Sequence, residues 1–234
     1  VNIKAGFSTV GNGGNVIMRS GGSTEQGSGS ISVSSSNAGI EGASGNVSIT
    51  TGSTNSADSG KLTLNTGASA EGRGGDINLS VGSSAGSFEG GNIAIGAGSS
   101  TQSTGGTISI RSGESKEMSS GRVLISTPNG GDAGSSGSVQ IKTGTSSTGT
   151  SGAFRMQTGS STESASGDIS FTVGDATTVA GNIAFVAGSS IEGTGGSVSF
   201  VSGASAELAS GVVEFETADS IEGSSGDIQL STGN

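Results

Sequence analysis

The chain contains no cysteine, histidine, tryptophan or tyrosine, and Pro128 is its only proline in 234 residues. Without cysteine there is no disulfide and no thiol chemistry, so redox compartment leaves no mark on the sequence. Without histidine or cysteine, nucleophilic triads of the Ser-His or Cys-His kind cannot be assembled. A Ser-Lys pair needs a buried lysine that gives up its proton readily, and Lys4, Lys61, Lys116 and Lys142 are the only lysines. Aromatic residues are 3% of the chain, too few to line a sugar-binding cleft. Carbohydrate-cleaving enzymes also need clustered carboxylates. The expectation is no enzyme: no catalytic, cofactor-binding or metal-binding residue is assigned.

Positive charge is also scarce. Nine basic residues stand against nineteen acidic ones, for a net charge of −10. The basic residues are scattered, so neither nucleic acid nor an anionic membrane surface is an expected partner. No apolar run approaches the roughly 18 residues of a membrane span.

Glycine is abundant, with 47 copies. Such a composition would ordinarily indicate disorder, but a fixed internal period overrides that inference. The phrase Gly226-Asp227-Ile228-Gln229-Leu230-Ser231-Thr232-Gly233 recurs with variation along the whole chain. Sixteen copies begin at Val1, Val16, Ile31, Val47, Leu62, Ile77, Ile93, Ile108, Val123, Val139, Phe154, Ile169, Ile183, Val198, Val213 and Ile228. With that residue as position 1, position 3 is apolar in every copy, including four successive phenylalanines, Phe171, Phe185, Phe200 and Phe215. Alternation of this kind predicts a short β-strand with positions 1 and 3 facing inward.

Position 5 is small or β-branched, position 6 is nearly always glycine, and position 8 is always small, mostly serine. The size limit at position 8 predicts an inward or corner site. The glycine two residues before each later copy never varies, from Gly14 to Gly226. That constancy predicts a bend or close backbone approach. A phosphate-cradling role needs a following helix, and no helical periodicity is present.

The spacing between copies is mostly 15 residues, but every third copy is irregular through the first twelve: those starting at Ile31, Ile77 and Val123 run to 16, and that at Ile169 to 14. Glu25, Glu71, Glu117 and Glu163 lie 46 residues apart, and Glu207 follows after 44. Two turns are compatible with this: a narrow coil of one repeat, or a three-sided turn of three repeats and about 46 residues. The second places the irregular lengths at one corner and the glutamates in one column. The expected fold is therefore all-β, a parallel β-solenoid (β-helix) of about 15-residue units, three to a turn, without helices. Residues 1–234 read as one continuous array and as an excerpt of a longer one.

The polar motifs give little. The glutamate column reads as a solvent-facing turn rather than a cation site, since stacked like charges repel unless solvated or bridged. Gly72-Arg73-Gly74-Gly75-Asp76-Ile77 differs from calcium-binding nonapeptides in the placement of its acidic residue, and other copies put Asn15, Ser30, Lys61 or Arg122 there. Asn46-Val47-Ser48 and Asn78-Leu79-Ser80 match the N-glycosylation pattern, so glycans are a compatible modification.

Phrases such as Gly167-Asp168-Ile169-Ser170-Phe171 and Gly196-Ser197-Val198-Ser199-Phe200 resemble the Gly/Ser-rich β-solenoid arrays of large secreted or cell-surface proteins, such as adhesin stalks and extracellular filaments. The resemblance spans all 234 residues at the level of pattern. It implies an extracellular or cell-surface structural role, a stiff shaft or filament module, self-associating end to end by stacking of coils. Ice binding is the alternative, although the outward pairs are mixed rather than a threonine ladder. A carbohydrate-binding or adhesin stalk is the second alternative.

Overall fold

A computed structural model describes residues 1–233. Its contacts fall into two segments, Val1–Ser112 and Gly113–Asn234. Among the described residues there is no helix and no strand. The expected parallel β-solenoid, with three repeats to a turn, is therefore not what the chain forms.

The physical reason lies in the backbone. A sheet requires the amides of positions 1–5 to meet those of a neighbouring run about 4.8 Å away. The backbone–backbone bonds among the described residues are instead local: six close the neck of a loop and two form tight turns. None joins one apolar run to another. Period-two alternation records which side a residue would face if the run were paired; it does not supply the pairing.

The accessible surface is 23735 Å². A folded monomer of 22.1 kDa exposes about 9,300 Å², and its unfolded chain about 32,000 Å². The chain thus keeps most of the surface that folding normally removes. No described residue is buried. The expectation that positions 1 and 3 form an interior ladder is reversed: position 1 is 47–59% exposed from Val16 to Ile228, and position 3 is 56–75% exposed from Ile3 to Phe215.

The least exposed residues are elsewhere. Ala5, Ser20, Ser112, Thr158, Ala187, Ser202 and Thr217 are half-buried, and all occupy position 5; Ser8 is the one other residue of that class. Position 5 faces the invariant glycine that ends the loop. In six repeats this closing glycine donates its N–H to the position-6 carbonyl: Gly14 to Gly6, Gly29 to Gly21, Gly106 to Gly98, Gly121 to Gly113, Gly196 to Gly188 and Gly211 to Gly203, at 2.8–2.9 Å. In these closed repeats the approach leaves little room for a side chain. A Cβ on Gly14 would meet the Gly6 amide nitrogen at 3.0 Å, and one on Gly106 would meet Gly98 nitrogen at 3.3 Å.

Closure follows the residue at position 5. The six closed repeats carry Ala5, Ser20, Ala97, Ser112, Ala187 and Ser202. Repeats with Thr51, Thr66, Val81, Thr127, Thr143, Thr158, Val173 or Thr217 lack the bond, as does the 16-residue repeat with Ser35. The γ-methyl of a β-branched side chain stands against the glycine: Thr66 Cγ2 at 3.5 Å and Thr127 Cγ2 at 3.2 Å from the Cβ position of Gly75 and Gly137. At Thr127 the hydroxyl bonds the Gly137 carbonyl instead, at 3.1 Å.

Candidate functional site

The loop between positions 6 and 14 is built around position 8. Its hydroxyl accepts a hydrogen bond from the backbone N–H three residues on: Ser8 from Gly11, Ser69 from Gly72 and Ser190 from Gly193 at 2.9 Å, with Thr54, Ser100, Ser115, Ser146, Ser161 and Ser220 repeating the arrangement. Ser23 and Ser205 accept from Gln26 and Leu208, and also from Glu25 and Glu207. The small residue expected at an inward or corner site is a solvent-exposed turn acceptor, of the kind serine and threonine provide.

The four repeats of irregular length are the ones without this side-chain bond. Position 8 there is Ala38, Ser84, Gly130 or Ala176. Gly42 donates to the Gly39 carbonyl at 3.5 Å, and Gly134 to the Gly131 carbonyl at 3.1 Å, as a backbone substitute. Ser84 is followed by Gly86, the one residue with positive φ (85°) among those described. Gly130 is pressed against Gly134 O and Ser135 C, the latter at 2.8 Å from a Cβ position.

The glutamates expected in one column lie apart from the apolar runs. Glu25, Glu71, Glu117, Glu163 and Glu207 occupy exposed loop bends. Among the described residues, no three or more carboxylates gather where a metal ion would sit. The sequon asparagines Asn46 and Asn78 are exposed. No helix among the described residues is long and apolar enough to cross a membrane.

What the chain presents most consistently is an apolar ladder. In the segment Gly113–Asn234 the phenylalanines of successive repeats meet edge to face. Phe171 and Phe185 have centroids 6.4 Å apart, Phe185 and Phe200 6.0 Å, and Phe200 and Phe215 6.0 Å, with planes at 82–84°. This is the favourable quadrupolar arrangement of aromatic pairs. The four rings, expected to face inward, do adjoin in order, but as a surface stripe more than half exposed.

Beside one end of the stripe lies an open cleft. Val123, Met156 and Ile169 give it an apolar lining, and Arg155 and Asp168 bring one charge of each sign. Val123 and Ile169 are both position 1, three repeats apart.

Two features were missed in reading the sequence. Position 8 is a hydrogen-bond acceptor, signalled by serine or threonine in all repeats but three. Position 5 alternates with a longer period: Ala97-Gly98 follows Ala5-Gly6 by 92 residues, and Ala187-Gly188 follows Ala97-Gly98 by 90. No family model, curated protein or solved structure matches the chain.

Proposed function

We propose that the chain is a structural module of an extracellular or cell-surface shaft or filament, one that becomes ordered by self-association. The observation that carries this reading is the exposure of the ladder at positions 1 and 3 in every repeat. Exposed apolar residues that adjoin one another mark interaction sites, and Phe171, Phe185, Phe200 and Phe215 adjoin in order. A single chain with no buried residue lacks the hydrophobic gain, about 25 cal/mol per Å², that offsets roughly 1–2 kcal/mol of backbone ordering per residue. Contacts between chains supply the missing burial. A repeating ladder suits repeating contacts, as in a fibre, better than a single small ligand.

Sedimentation and electron microscopy of the protein across a concentration series test the reading. Particles whose mass grows with concentration, visible as filaments, are the expected result. A single dispersed species of 22.1 kDa at every concentration contradicts it.

A further inference from the structure

We propose that the position-8 serines standing two residues before a glutamate are phosphorylation sites, for a serine kinase that reads a carboxylate at that offset. The acceptors are Ser23, Ser69, Ser115, Ser161, Ser190, Ser205 and Ser220, and the determinants are Glu25, Glu71, Glu117, Glu163, Glu192, Glu207 and Glu222. Modification of these loops does not depend on whether the chain self-associates.

Serine and glutamate go together in these loops. All seven glutamates at position 10 follow a serine at position 8. Where position 8 is Ala38, Gly130 or Ala176, position 10 is Ile40, Asp132 or Thr178. The turn does not demand the glutamate. Ser8, Ser100 and Ser146 accept the same hydrogen bond with Val10, Gln102 and Thr148 in that place. The offset is also specific: a serine three residues before these glutamates occurs only at Ser160 and Ser189. The acidic residue thus answers to something other than loop geometry. A fixed step from hydroxyl to carboxylate is the kind of charge pattern by which kinases select substrates.

The hydroxyls are presented for transfer. All seven serines are exposed, and each glutamate lies in the bend of its loop. Each Oγ accepts the backbone N–H three residues on, at 2.9–3.1 Å. That bond positions the oxygen yet uses only a lone pair. Among the described residues no acceptor takes the hydroxyl proton of these serines. In the transfer, Oγ forms a bond to the γ-phosphorus of ATP. The bond from that phosphorus to the bridging oxygen breaks, ADP leaves, and the hydroxyl proton passes to the base of the kinase. The phosphate carries about −1.5 to −2 charges at pH 7 and takes backbone N–H groups as charge-assisted bonds. Seven of them add about −10 to −14 to a net charge of −10, so modified copies repel one another more strongly.

Two further serines share the offset outside position 8. Ser87, before Glu89, is exposed. Ser112, before Glu114, is half-buried at position 5, where Gly121 N–H closes the loop on Gly113 O at 2.9 Å. Ser112 and Ser115 therefore differ in access while sharing the recognition element.

Site-by-site mapping tests the assignment. The full chain is incubated with magnesium-ATP and a serine kinase selective for glutamate two residues after its acceptor, beside short free peptides of each site, and read by mass spectrometry. The seven serines, and Ser87, should each take up one phosphate at the rate of the matching peptide. Ser112 should react about threefold to tenfold more slowly than its peptide, as closure by one hydrogen bond implies. Ser8, Ser100 and Ser146, which lack the glutamate, should stay unmodified. Glu71→Gln should slow phosphorylation of Ser69 at least about tenfold, the scale of losing one charge pair. Amide exchange at Gly72 should stay as in the parent, which separates recognition from support of the turn. Phosphate on Ser8, Ser100 and Ser146 at the rate of the seven overturns the proposal, as does equal modification of Ser69 with and without Glu71. A chain that stays unmodified while its peptides react overturns it as well.

Discussion

Thr66 Cγ2 lies 3.5 Å from the place a Cβ would occupy on Gly75, and the bond that would close that repeat is missing. Two repeats further on, Ala97 offers only its Cβ to Gly106, and Gly106 N–H reaches Gly98 O at 2.8 Å. Among the 15-residue repeats with glycine at position 6, the open loops are those with a γ-branch at position 5.

Substitution at position 5 should therefore switch closure. Ala97→Val should free the Gly106 amide, and Thr66→Ala should tie Gly75 to Gly67. A hydrogen bond contributes about 0.5–1.5 kcal/mol net, so amide exchange at the glycine should change by about threefold to tenfold in opposite directions. Unchanged exchange at both glycines would break the link between side-chain branching and closure.

Removing the turn acceptor should act locally. Ser190→Ala should speed exchange of the Gly193 amide, now bonded at 2.9 Å, by a factor within the same range. Ala38→Ser should not create the equivalent bond, because its loop is one residue longer and turns through Gly42 and Gly39. Amide temperature coefficients in the two loops distinguish these outcomes.

Much of this organisation was legible in the sequence. The repeat and its irregular third member correspond to loop boundaries and altered turns, and the recurrent closing glycine corresponds to a close backbone approach in six repeats. The fold class was not legible. Ile31, Ser32 and Val33 alternate as strand residues do, yet alternation is a property of one run, whereas a sheet is a relation between runs. Large apolar residues such as the Phe171 to Phe215 series usually lie inside; here they are at the surface. Position 5 escaped because Ala, Ser, Thr and Val all count as small or strand-compatible, while the decisive property is the γ-methyl.

Glycine substitutions should separate tight from open turns. Gly130→Ala places a methyl against Gly134 O and Ser135 C and should displace residues 131–135, seen as amide shift changes across that loop. Gly131→Ala meets open space and should leave the loop as it is. Comparable shifts from both would contradict the contact.

Salt should promote assembly. A net charge of −10 repels approaching copies, and the Debye length falls from about 30 Å at 0.01 M to about 8 Å at 0.15 M salt. Onset of association should move to severalfold lower concentration over that range, read by light scattering. Onset that rises with salt would show that attraction between opposite charges outweighs the net repulsion.

Residue-resolved amide exchange on the dilute, unassembled chain is the most direct measurement. Amides of positions 1–5 should exchange at nearly unprotected rates in every repeat, with slowed exchange at Gly14, Gly29, Gly106, Gly121, Gly196 and Gly211. Uniform strong protection across positions 1–5 in that dilute state would mean that the runs are paired within one chain, and that the ladder is an interior after all.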